Sequence, residues 1–310
     1  MSSHLLGVIR AAAAIAAFSI IPPGAPAFAA HEGDVSPSWK LCRSASPDER
    51  IAGCTQVIAD GAKETKHNLL AAYVNRAAAY QAKSDFGHAI EDYGKALEVD
   101  PSSAVVLLAR GAAEHAKGDL DAALADYGKV IEKDKANVAA FMARASIWRV
   151  KGEAEKALAD IESAVKYEQK SPAPLAARAN YYHSKGDHDR AIADYSLALK
   201  RDPKLVPALI GRGGCYYVKG DFDKALADFD AAAKADPKNA TALLDRANAW
   251  RGKKEYEKSR SDYEAALALK PDLAAARKGV DDVAKIIAKK AAGGPAPADS
   301  APAEAAHEHN

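Results

Sequence analysis

From Leu70 to Leu273 the apolar residues fall in two successive runs with spacings of three and four, broken by short polar stretches, and the arrangement restarts every 34 residues. Such spacing marks one face of a helix, so each period predicts two helices joined by a short turn. Six periods follow one another without insertion or deletion: 70–103, 104–137, 138–171, 172–205, 206–239 and 240–273. Superposed by number alone, they align in columns. Column four is large and apolar (Tyr73, Leu107, Phe141, Leu175, Leu209, Leu243), and column eight is small (Ala77, Gly111, Ala145, Ala179, Gly213, Ala247). Column eleven is mostly aromatic, column twenty is Ala in five copies and Ser259 in the sixth, and column twenty-four is Tyr93, Tyr127, Ile161, Tyr195, Phe229 and Tyr263.

Helix A of each period is expected to stop at a glycine (Gly118, Gly152, Gly186, Gly220), the residue best suited to the left-handed conformation that ends helices. The next residue, Asp85, Asp119, Asp187 or Asp221, is placed to cap helix B, and Pro101, Pro203, Pro237 and Pro271 close it. Small residues at columns eight and twenty let the two backbones approach, and the ring at column twenty-four fills the space beside them. Glu114 replaces the aromatic at column eleven of the second copy, and Lys135 and Gln169 replace the closing Pro in the second and third. Those junctions are expected to be looser.

The period and the residues in these columns resemble the tetratricopeptide repeat. The resemblance covers about two-thirds of the chain and implies an all-α fold: a right-handed superhelical solenoid of antiparallel helix hairpins. Arg50–Cys54 superposes on Ala89–Tyr93, so residues 30–69 read as a degenerate first repeat capping the array. Lys63–Asn68 reads as a polar joint. Residues 274–290 form one more amphipathic helix, with Val280, Val283 and Ile287 as its buried stripe.

Outside the array, residues 1–29 carry Arg10, an apolar run and the tripeptide Ala27-Phe28-Ala29, the pattern of a secretory signal peptide. The product is then expected to be exported, to the periplasm of a Gram-negative source or otherwise secreted, without stable membrane insertion after cleavage. Cys42 and Cys54, twelve residues apart, are expected to be bonded in that compartment, a constraint of about 3 kcal/mol on the unfolded chain, with two buried free thiols as the alternative. Cys215 reads as a buried small apolar residue. The tail 291–310 is rich in Ala, Pro and Gly and is expected to be disordered, with His307 and His309 as bystanders.

Forty-three basic residues against 42 acidic ones give no electrostatic case for nucleic acid. A phosphate loop, a nucleophile elbow and a His-Glu-x-x-His motif are all missing, so neither an enzyme, a metal site nor a cofactor is expected. The most regular polar feature is an Arg at column seven (Arg76, Arg110, Arg144, Arg178, Arg212, Arg246) with an Asp at column twenty-three (Asp92, Asp126, Asp160, Asp194, Asp228, Asp262). In a hairpin turning near column fifteen these positions lie level, which predicts a structural ladder of bidentate pairs within a hairpin or across to its neighbour. A row of anion-binding arginines is the alternative.

The resemblance implies that ligands lie along a concave surface lined by helix A. There column five would give an apolar floor (Val74, Leu108, Met142, Ile210, Leu244), and column twelve a hydrogen-bonding, weakly cationic rail (Gln81, His115, Arg149, His183, Tyr217, Arg251) with Asn248 beside it. The Lys and Asn residues with which some members clamp a C-terminal carboxylate are replaced by Val74, Ala78 and Ala109, which argues against binding of chaperone tails. The expected function is therefore an exported, non-enzymatic scaffold holding an extended peptide or a partner protein, possible within an envelope assembly. A structural spacer without a groove ligand is the alternative.

Overall fold

The computed structural model describes residues 36–292. The expected signal peptide and most of the expected tail, with His307 and His309, lie outside the described residues. Among the described residues fifteen α-helices follow one another: α1 (Pro37–Cys42), α2 (Pro47–Ala59), α3 (Lys66–Ala82), α4 (Phe86–Val99), α5 (Ala104–Lys117), α6 (Leu120–Lys133), α7 (Val138–Val150), α8 (Ala154–Tyr167), α9 (Ala173–Ser184), α10 (His188–Arg201), α11 (Val206–Val218), α12 (Phe222–Ala235), α13 (Ala240–Gly252), α14 (Tyr256–Leu269) and α15 (Ala274–Ala291). Each packs chiefly on the helices before and after it, so the chain builds an all-α solenoid of hairpins. Among the described residues no helix is long and apolar enough to cross a membrane.

Local chemistry sets the helix ends. Gly118, Gly152, Gly186 and Gly220 take φ between 75° and 97°, and Ser84 and Lys254 adopt the same left-handed turn in the first and sixth repeats at φ 60° and 62°. Asp85, Asp187 and Asp221 accept hydrogen bonds from the backbone N–H three residues on. Asp119 does not cap with its side chain, because it turns to Lys117 Nζ at 2.9 Å.

The column-twenty-four rings are nearly sealed, from 0% exposed at Tyr93 to 2% at Tyr127 in the array, with Ile161 at 8%. They lie on the small residues of helix A so closely that a Cβ on Gly111 would come within 2.7 Å of the Tyr127 ring and one on Gly213 within 2.6 Å of Phe229. Helix A of one repeat also touches helix A of the next, as α9 does α11 and α11 does α13, whereas successive B helices stay further apart. The A side is therefore the inner side of the curve. The main core divides in two, one cluster from Leu70 to Ala164 and another from Leu175 to Ala242. The divide falls where α8 meets α9, the consecutive helices with the least contact.

At the N-terminus α1 and α2 form a shortened hairpin whose Trp39, Cys42, Cys54 and Val57 pack on Ala71 and Ala72 of α3. The Cys42 and Cys54 Sγ atoms lie at bonding distance, with Cα atoms 4.5 Å apart. Two expectations need correction. Lys66–Asn68 is not a joint but the first turn of α3, because Thr65 caps it by accepting from Asn68 N at 3.1 Å. In α15 the sealed residues are Ala276, Gly279, Val283 and Ile286, while Val280 and Ile287 are half-buried at the edge of the same core. The helix is in phase with the array: Gly279 lies under the Tyr263 ring as Gly211 lies under Tyr195, so the shared register decides its buried face.

Candidate binding groove

In all six repeats the column-seven Arg forks onto the column-twenty-three Asp of its own hairpin, Nε to one carboxylate oxygen and Nη2 to the other, at 2.7–2.9 Å. The six Asp residues are buried, at 2–8% exposed. The Asp hydrogen bond holds each guanidinium above its ordinary range against the opposing effect of burial. A third donor reaches back to the preceding helix B: Arg212 Nη1 to Ser196 Oγ at 3.1 Å and Arg246 Nη1 to Asp230 Oδ1 at 3.0 Å. Every arginine thus fastens its hairpin to itself through Nε and Nη2, and Arg76, Arg212 and Arg246 also fasten it to its neighbour.

The twelve groove candidates separate into groups. Val74, Leu108 and Ile210 are 2–6% exposed and belong to the core, because neighbouring A helices close over column five. They are not a groove floor. Met142 and Leu244 are half-buried at its margin. Gln81 and Asn248 accept the hydroxyls of Tyr93 and Tyr263, at 3.2 and 2.5 Å, as Asn180 accepts that of Tyr195. A buried phenol needs such a partner, so these amides serve packing. Arg251 is buried, 7% exposed, with Nη1 3.8 Å from Asp282 of α15. It joins the terminal helix to the array and leaves the rail.

The remaining rail consists of Arg149, which is exposed, and His115 and Tyr217, which are half-buried. Burial lowers the His115 pKa, which disfavours the charged ring. Tyr217 rests against Phe222 with ring centroids 5.5 Å apart. The column reading missed Val150 and Val218, which stand 61% and 60% exposed in the last turns of α7 and α11, next to Arg149 and Tyr217. Their signal was available: both are β-branched residues in a column that is otherwise small. His183 does not line an open rail either. Its Nδ1 lies 3.2 Å from His188 Nδ1 and 3.2 Å from Cys215 Sγ. Burial pushes the Cys215 thiol up to about 12. A depression of about 640 Å³ opens among α12, α13 and α14, lined by Leu226, Asp230, Arg246, Trp250 and Lys258.

Several solved structures share this architecture. The C-terminal part of a TPR repeat-containing protein from Cytophaga hutchinsonii superposes with a TM-score of 0.62 at 15% identity, covering 78% of this chain and 98% of that one. PilF of Pseudomonas aeruginosa gives 0.60 at 16% identity, over 72% and 99%. YrrB, described as a TPR protein with an unusual peptide-binding site, gives 0.52 at 21% identity, over 62% and 99%. At these identities the likeness is one of fold. No curated protein matches the sequence. Profiles of the tetratricopeptide repeat match residues 71–103 and, in overlapping stretches, 116–174, 149–206, 176–240 and 216–274. With those matches spanning more than half of its length and the solenoid built on the same phase, the chain belongs to the tetratricopeptide repeat family.

Proposed function

We propose that this protein is an exported, non-enzymatic scaffold whose helix-A face holds an extended segment of a partner protein. The repeats make it a protein–protein interaction scaffold; the observation that carries the finer reading is that Val150 and Val218 remain open on the inner side, flanked by Arg149 and Tyr217. Exposed apolar side chains beside Arg and Tyr suit a partner that supplies its own apolar residues and a few hydrogen bonds. The peptide-binding site ascribed to YrrB, on the same fold, supports this reading. The signal-like leader and the paired Cys42 and Cys54 support export, in a compartment where that pair stays oxidised.

The test is a photo-crosslinking residue placed at Val218 and, for comparison, at Leu197 on helix B, which is 44% exposed. Adducts with a defined partner are expected from position 218 and not from 197. Equal yields, or adducts from 197 alone, would place any partner elsewhere. Changing Arg149 to Ala with Val150 and Val218 to Ser should leave the fold intact and weaken capture at least tenfold, or about 1.4 kcal/mol.

A further inference from the structure

Two departures from the repeat pattern meet a column-twelve histidine at one point. Column seventeen is apolar in five repeats, Phe86, Leu120, Ala154, Phe222 and Tyr256, and His188 in the fourth. Column ten is Ala79, Ala113, Ile147, Tyr181 and Ala249, with Cys215 in the fifth. Column twelve carries His183 in the fourth. Columns twelve and seventeen face each other across the hairpin turn, as the Tyr217–Phe222 contact shows, so His183 and His188 meet, with ring centroids 5.2 Å apart. Helix A of the next repeat lies over them and brings Cys215. One ligand atom from each of the three comes within 4.8 Å of the others.

We propose that His183, His188 and Cys215 bind a thiophilic transition-metal ion, with Zn²⁺ the ion that suits them best. Two imidazoles and a thiolate form a borderline-soft donor set that zinc favours over hard cations such as Mg²⁺ or Ca²⁺. Bonds of about 2.0–2.3 Å place tetrahedral ligand atoms roughly 3.3–3.7 Å apart. The two separations of 3.2 Å are close to that edge. His183 and His188 also keep a spacing within the range of paired histidine ligands in zinc sites. On binding, the Cys215 thiol releases its proton to solvent and the sulfur lone pair forms the bond to the ion; neither partner changes oxidation state. Three protein ligands leave a fourth position, reached from the side of the half-buried imidazoles and filled by water. The ion would tie α9 and α10 of one repeat to α11 of the next.

The test titrates Zn²⁺, and Co²⁺ as its spectroscopic stand-in, into the full chain with Cys42 and Cys54 kept bonded and with His307→Ala and His309→Ala to remove the tail imidazoles. One equivalent is expected to bind, with a thiolate-to-cobalt charge-transfer band and the strong visible bands of a tetrahedral ion, and Zn²⁺ is expected to raise the thermal midpoint by a few degrees. Cys215→Ala installs the residue that three other repeats carry and should fold, yet lose both the band and the shift. His188→Phe, matching the first and fifth repeats, should weaken binding at least tenfold. Absence of the charge-transfer band in the parent would overturn the site, as would an equal thermal shift in Cys215→Ala or undiminished affinity in His188→Phe.

Discussion

Glu114 occupies the place that an aromatic ring takes in the other five repeats, and burial governs its chemistry. Loss of solvent pushes its carboxyl up to about 7; the nearby Asp126 charge adds to this and Arg110 opposes it. Burial pushes Asp245 to about 7 as well. Both folded values lie above the ordinary range near 4, so between about pH 4 and 7 the folded chain keeps protons that the unfolded chain has lost. Their stabilising effect is complete at the acid end of that window and disappears as pH rises through 7. Thermal unfolding is therefore expected at a higher midpoint at pH 5.5 than at pH 8. Glu114→Gln should gain on the order of 1 kcal/mol at pH 8 and little at pH 5.5. A gain independent of pH would assign the effect to packing instead. The substitution of Glu for a ring was visible in the sequence; how deeply it is buried beside Asp126 depends on the stacking of hairpins and was not.

Between elements the array carries a second ladder. Lys151 reaches Asp121 at 2.8 Å and Lys185 reaches Glu155 at 3.8 Å, and Lys83–Asp48, Lys219–Asp189 and Lys253–Asp223 repeat the pairing, each from the end of one helix A to the start of the preceding helix B. The Arg–Asp ladder was legible because its partners share a hairpin, so the turn alone brings them level. The lysine ladder recurs as regularly in the sequence, but its partners sit in different hairpins and the angle between repeats had to be known. The same limit explains column five, whose apolar residues read as a floor until the neighbouring A helices were placed over them. One rung is missing, because Gly87 stands where the acid would face Lys117, and Lys117 turns to Asp119. Gly87→Glu would supply the rung, remove a helical glycine and put negative charge in the first turn of α4, where a Cβ meets only Asp85 Oδ1 in ordinary contact at 3.8 Å. It is expected to stabilise by about 1 kcal/mol, with the electrostatic share fading in high salt. A midpoint that fails to rise would mean that Lys117 stays with Asp119.

Over the whole molecule the repeated helical hairpin and the all-helical class were readable from period alone, and the looseness expected at Gln169 coincides with the divide in the core between α8 and α9. Hydrogen exchange should open there first within the array. Glu168 already holds the extended backbone that a following proline requires, φ −113° and ψ 102°, and the same role precedes Pro101, Pro203, Pro237 and Pro271. Gln169→Pro is thus expected to slow exchange at the divide and to stabilise by about 0.4–1 kcal/mol, and faster exchange would count against it. The phase of α15 has a further consequence. Because it begins where a seventh helix A would, with Gly279 already shaped for the last ring, the C-terminal helix is a fitting that the array could carry at another length. A copy of residues 206–239 spliced in before Ala240 would present to α13 the surface that α12 already presents there and would create one new joint, α12 against α11, built on the same columns as the others, so the reach of the molecule becomes a quantity that whole-number additions can set.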